Sequence, residues 1–285
     1  MGILLSVAAL LSWGLGDFLI QRSARKFGDW VALFYITAFA SIVLFPFVYR
    51  DLGVFLTLHA VLMWGTSVVL LSAVLLDFEA LRVGKISVVE PIYALEIPVA
   101  AFLAAFVIHE RLSPLQIGLI IALVAGLFLV STRSLRAFAR TKVERGIWYA
   151  VFATIGMGVA NFLFGLGARE TDPLAINWFT SAFVAAAAFV YLAATSQLKK
   201  ISQGWRTDRR LIVSVGFFDN LAWVTFSYAM LFIPIAIATG ISEGYIAFAS
   251  ALGIAFNKEQ LARHQWVGLI LTVIAVTVLG FVTNR

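Results

Sequence analysis

GDFLIQRSAR, Gly16 to Arg25, returns as ANFLFGLGAR, Ala160 to Arg169, displaced by 144 residues. Phe18 matches Phe162, Leu19 matches Leu163, Ala24 matches Ala168 and Arg25 matches Arg169, with Asp17 opposite Asn161. The same offset pairs Ile3 with Ile147 and Phe39 with Phe183. Later in each copy the offset grows to 149, pairing Ala80 with Ala229, Glu110 with Glu259, Leu112 with Leu261 and Gln116 with Gln265. Short insertions between segments explain the drift. The chain reads as a duplication, and internal repeats with a site at their interface are the usual build of secondary transporters.

Working outward from the repeat, the composition fixes the solvent. Of 285 residues 62% are hydrophobic and 13% charged, and the mean hydropathy is +0.97. A soluble domain carries about twice that charged fraction. Apolar stretches of roughly 20 residues follow one another with few polar linkers, each long enough to cross hydrocarbon. The spans read as 2–21, 30–49, 58–81, 86–108, 114–132, 146–168, 174–195, 210–232, 234–256 and 264–283. A backbone in lipid must satisfy its own hydrogen bonds, and no alternating barrel pattern is present, so the expectation is an all-α membrane protein of ten transmembrane helices. The first segment lacks a basic leader and a matched cleavage site, and reads as a retained span. Cysteine is absent and His59, His109 and His264 have no ligand spacing, so no metal, cofactor or catalytic residue is expected. The basic residues sit in short loops between spans, where they orient the chain in the bilayer and do not suggest a nucleic-acid partner.

Five spans per copy is an odd number, so the second copy must enter the bilayer in the opposite sense: two inverted five-helix repeats, 1–133 and 146–285, joined by a basic linker at 134–145. Loops after odd-numbered spans hold 17 of the 21 basic residues, which by the positive-inside rule puts both termini outside.

Ser12, Trp13 and Gly14 in the first span, HERLSPLQIG at 109–118 and its copy KEQLARHQWVG at 258–268 resemble the EamA-type transporters of the drug/metabolite transporter superfamily. The resemblance covers the whole chain. It implies a ten-helix inverted-repeat carrier in which the first four helices of each repeat line a central cavity and the fifth and tenth act as scaffold. It also implies small metabolites, amino acids or drugs as cargo, commonly moved outward. Such carriers are drawn with both termini cytoplasmic, opposite to the charge count. Gly118, Ala122 and Gly126 in span five, with Gly268 and Gly280 in span ten, read as a close-packing surface. Glu110 and Glu259, beside Arg111 and Lys258, read as interfacial ion pairs.

Seven of the fifteen carboxylates fall inside predicted spans: Asp17, Asp77, Glu79, Glu90, Glu96, Asp219 and Glu243. At about 3 kcal/mol for a charge at mid-bilayer, each must face the bundle interior, be paired, or be protonated. Asp77 and Glu79 lie near Arg82 and Lys85 and read as an interfacial charge cluster. Asp17 shares a helical stripe with Ser6 and Trp13, and its copy Asn161 makes a polar pair at symmetric positions. Glu90 and Glu96 flank Tyr93 in span four. Glu243 shares a stripe with Thr239 and Ser250 in span nine, with Tyr245 close by. Asp219 and Asn220, with Trp223 and Phe226 one and two turns on, suit a cation held between a carboxylate and aromatic faces. Trp13, Tyr93, Trp178, Trp223 and Tyr245 are pocket walls or packing anchors. Pro91, Pro98 and Pro234, with Gly240 and Gly244, concentrate in spans four and nine, and breaks in equivalent helices of two repeats point to a binding site.

The expected function is a secondary active transporter in the cell (inner or plasma) membrane, a monomer or homodimer, exporting small amines, amino acids or cationic drugs. Glu90, Asp219 and Glu243 are the candidate proton-coupling residues. A carrier of neutral sugars or nucleosides is the alternative. Neither a P-loop nor a nucleophile with an evident base is present, which argues against ATP-driven transport and against catalysis.

Overall fold

The computed structural model describes residues 1–50, 52–53, 59–83, 86–132, 134–135, 145–257 and 261–283; the side chains of 17, 18, 21, 86–88, 90 and 253–257 are outside that description. Among the described residues there are helices and connections and no strands. The helices are α1 (Gly2–Phe27), α2 (Asp29–Val48), α3 (His59–Val83), α4 (Ile86–Tyr93), α5 (Glu96–Val107), α6 (Pro114–Ser131), α7 (Arg145–Glu170), α8 (Pro173–Ala194), α9 (Leu198–Thr207), α10 (Arg209–Ala229), α11 (Ile235–Glu243), α12 (Tyr245–Asn257) and α13 (Arg263–Thr283). Eight stretches are long and apolar enough to cross a membrane, and two shorter apolar ones, Gly2–Gly16 and Pro91–Val107, accompany them. The protein is a multi-pass integral membrane protein. Large apolar side chains such as Ile42, Phe47, Phe102 and Phe106 point outward, as a lipid solvent allows.

Local chemistry sets the helix ends. Gly28 adopts φ 87°, a conformation that costs glycine little, and stops α1 so that α2 can turn back. Ser113 and Gln116 form a reciprocal capping box on α6, with proline at the next position. Asp172 caps α8 through Leu174 and Ala175 N–H, and Asp208 caps α10 through Leu211 N–H. Asp208 also takes a 2.8 Å hydrogen bond from Lys26, and that contact holds its carboxyl below the usual carboxylate range.

Two differences from the sequence reading concern whole elements. Spans four and nine are each two helices: the first is interrupted at Ala94–Leu95, the second at Gly244. Between spans seven and eight lies the short amphipathic helix α9, unread in the sequence, with Tyr35 donating to the Ile201 carbonyl and Gly204 seated against Tyr35 and Phe27.

Packing directions follow from paired contacts. Gly2 meets Ala229 and Ile233, Gly16 meets Phe218, and Lys26 meets Asp208, so α1 runs antiparallel to α10. Ala73 with Gly156, and the cluster of Ala80 and Ala150, set α3 antiparallel to α7. Trp30 stacks on Tyr191 at 3.9 Å while Trp178 Nε1 donates to the Ser41 carbonyl at 2.9 Å, which makes α2 antiparallel to α8. Leu10 with Gly244, and Gly14 with Phe248, run α1 parallel to span nine; Gly158 with Val99, and Arg169 with Glu110, run α7 parallel to span four.

The α6–α13 pair carries the clearest trace of duplication. Gln116 Oε1 accepts from Ser113 N–H, and its Nε2 donates to Thr283 Oγ1 at the far end of α13. Gln265 repeats both acts: Oε1 accepts from Ala262 N–H and Nε2 donates to the Val130 carbonyl at the far end of α6. The helices cross where a Cβ on Gly268 would lie 2.6 Å from the Gly126 carbonyl, and one on Gly126 would lie 2.9 Å from Thr272 N. Gly118 does not share in this contact, since nothing lies within 4 Å of its missing Cβ. It points away from the crossing that Gly126 and Gly268 make.

Candidate functional site

The two interruptions fall at equivalent places, because 94–95 plus the repeat offset of 149 gives 243–244. In the first, Pro98 has no N–H to offer the Ala94 carbonyl, so the helix tightens there and Leu95 N–H bonds to the Ile92 carbonyl at 3.0 Å. In the second, Gly244 N–H bonds to the Ile241 carbonyl at 3.1 Å. An acid flanks each break. Glu96 is the first residue of α5 and Glu243 the last of α11. The α5 N-terminus presents a positive dipole end to Glu96, whereas the carbonyls ending α11 favour a cation beside Glu243.

Glu96 lies within electrostatic reach of Glu243 and of Asp77 on α3. Asn161 Nδ2, on α7, donates a long 3.5 Å hydrogen bond to Glu96 Oε2. Glu243 and Asn161 are buried, at 7% and 3% exposure. Four helices, α3, α5, α7 and α11, thus contribute one polar group each to the zone around the breaks. The sequence reading set Asp77 at the interface with Glu79. Glu79 binds Arg82 through two bonds of 2.7 and 2.8 Å, and Asp77, half-buried and about 200° around the helix, also lies within charge reach of Glu96.

An aromatic group borders this zone. Trp13 lies 5.2 Å from Trp223 at right angles, 5.3 Å from Phe226 and 6.3 Å from Tyr245, and Phe164 lies 4.6 Å from Trp223. Three of the five aromatic candidates, Trp13, Trp223 and Tyr245, therefore share one cluster built from α1, α10 and α12, while Trp178 donates to the Ser41 carbonyl on α2. Tyr93 instead packs with Ala80, Val89, Ile92 and Ala150 where α3, α4 and α7 meet.

On the other side of Trp223 is a cavity of about 40 Å³, room for roughly three waters. Asp219, Asn220, Asn177, Thr180, Ser181, Thr37, Leu70, Val184 and Phe164 complete its wall. Asp219 is buried at 9% exposure. Asn220 donates to the Ile36 and Gly216 carbonyls at 3.0 and 2.7 Å, so its N–H groups tie α10 to α2 and its oxygen remains for the cavity. Asn177 donates to Pro173 O and Ser227 Oγ, both at 2.7 Å. The sequence reading overlooked Asn177, Thr180 and Ser181, whose helical spacing on an otherwise apolar span marks one polar face. Asp17 and Glu90 sit on α1 and α4, with side chains outside the described residues. The backbone turn of α1 holding Gly16 touches the α10 turn holding Asp219.

A bundle of membrane-crossing helices with interrupted spans, interior acids and an aromatic-walled cavity has the build of a transporter and offers no catalytic constellation among its described residues. The EamA-like transporter family matches residues 1–132 and again 144–281, and the chain belongs to that family. An uncharacterized protein of Haemophilus influenzae is 26% identical over 181 residues, 61% of this chain and 60% of its own length. The match thus spans less than two thirds of that relative. A protein solved by crystallography superposes over 100% of this chain and 98% of its own with a TM-score of 0.78 at 16% identity, a likeness of fold.

Proposed function

We propose that the chain is a secondary active transporter of the drug/metabolite superfamily that exports amines, amino acids or cationic drugs across the cell membrane in exchange for protons. Ten crossings in two inverted repeats, 1–133 and 146–285 with the linker at 134–145, underlie the mechanism. Support for the inversion comes from the packing directions: odd- and even-numbered spans meet antiparallel, and spans of equal parity meet parallel. The observation that carries the cargo is the meeting of Glu96, Glu243 and Asp77 at the two helix breaks, next to the Trp13, Trp223 and Tyr245 rings.

An ammonium group fits between a carboxylate, the carbonyls ending α11 and aromatic faces. Glu96 and Glu243, within charge reach of each other inside the bundle, repel when both are ionised, so a proton or a cation beside them is favoured. Exchange of the two couples transport to the proton gradient, with Glu243, Asp219 and Glu90 as exchanging groups. Rocking of two helix groups, each drawn from both repeats, about this zone gives alternating access.

Substrate-induced proton release from purified protein tests the reading, with amines, amino acids, nucleosides and sugars as probes and Glu243→Gln as the comparison. Release by amines or amino acids, lost in the variant, is the expected result. Binding without release would overturn it in favour of a carrier of neutral solutes.

A further inference from the structure

The geometry points to Arg169 as the clasp that closes one face of the transport pathway. The inference rests on the alternating-access reading above. Arg169 ends the repeated stretch of α7. Its Nε donates to the Met230 carbonyl at 2.7 Å, and its Nη2 donates to the Ile233 carbonyl at 3.1 Å and to Glu110 Oε1 at 2.9 Å. One guanidinium therefore joins three places: the end of α7, the segment after α5 that carries Glu110, and the turn between α10 and α11.

Those places belong to two bodies. Helices α3 and α5 pack on α7, and α10, α11 and α12 pack on α1, with α5 meeting α11 across the boundary between the two groups. Met230 and Ile233 belong to the second body, Arg169 and Glu110 to the first, so the clasp must open if the bodies part on this face. Glu110 is delivered by His109, which holds φ 54°, a left-handed backbone rarely taken by a residue with a side chain. Glu110 Oε2 is buried without a hydrogen-bond partner. The contact the sequence suggested, with Arg111, is replaced by Arg169, which comes from the other repeat.

Beneath the clasp lies an apolar seal. The backbone of Gly165 sits against Ile235 and Met230, whose side chains would lie 2.6 to 2.8 Å from a Cβ there. Met230, Ile235, Ile237 and Thr239 are all at 0% exposure. The repeat copy of Arg169 is Arg25, exposed and in no ion pair among the described residues. Lys26, next in the chain to Arg25, binds Asp208 at one end of α10, and Arg169 binds Met230 at the other, about 30 Å away along its axis. The structure is clasped on the Arg169 face.

The chain has no cysteine, which permits a test by accessibility. A Thr239→Cys reporter lies about 6 Å deeper along α11 than Ile235. Its labelling by a membrane-impermeant maleimide is measured in proteoliposomes, alone and combined with Arg169→Gln, Glu110→Gln or Arg25→Gln. Loss of the charge-assisted bonds in Arg169→Gln is expected to speed labelling about tenfold or more, and Glu110→Gln by a smaller factor, because the carbonyl bonds remain. Arg25→Gln is expected to leave the rate unchanged. An unchanged rate in Glu110→Gln and in folded Arg169→Gln would overturn the proposal, as would equal acceleration by Arg25→Gln, which would mean general loosening. The readout needs no substrate: if labelling accelerates as expected but amines release no protons, the clasp stands and the cargo assignment fails.

Discussion

At the scale of single residues, Asp77 and Glu79 show how two adjacent acids divide their work. Two positions apart on a helix, they face nearly opposite ways, one toward Glu96 and the other toward Arg82 at the exposed edge. Asp77→Asn is expected to lower transport by about tenfold or more, the scale of losing a buried charged contact, while Glu79→Gln changes it less than about twofold. Uptake assays in proteoliposomes measure both. Glu96, Asp219 and Glu243 were legible in the sequence because a bare charge in hydrocarbon has so few tolerable explanations. Asp77 was obscured by the nearby basic residues, although helical phase alone would have separated it from Glu79. The partner of Glu110 could not be read at all, since Arg169 lies 59 positions away and only tertiary packing brings it near.

Among the elements, eight of the apolar stretches correspond to helices long and apolar enough to cross a membrane, because length and composition suffice in lipid. The breaks in spans four and nine were foreshadowed by proline and glycine, and the first sits where Pro98 would have had to bond. Helix α9 escaped notice because its LKKISQGWRT sequence mixes basic and apolar residues over less than three turns, too short for a clear period. Gly118 and Gly126 looked alike on a four-residue spacing, yet only Gly126 meets backbone. Gly126→Val is expected to lower stability by about 1–3 kcal/mol, against less than about 0.5 kcal/mol for Gly118→Val, read as thermal unfolding in detergent. Truncating either Gln116 or Gln265 to alanine is expected to cost about 1 kcal/mol, because each removes a cap and a cross-helix bond of the same kind.

On the scale of the whole molecule, the 17 to 4 distribution of basic residues expects both termini outside. Single cysteines appended ahead of Met1, which is exposed, and placed in the 134–145 linker report this directly: an impermeant thiol reagent added to intact cells should label the first and spare the second, and the reverse pattern would invert the assigned faces. The matching glutamines bear on the origin of the molecule. Each copy's fifth helix offers the other the same donor from the same place, Gln116 to the Thr283 hydroxyl and Gln265 to the Val130 carbonyl, a reciprocity of the sort that joins like subunits about a twofold axis. A surface of that kind needs no covalent tether. Two separate polypeptides, 1–135 and 145–285, are therefore expected to find each other when made in one membrane, and their co-purification is the measurement that checks it.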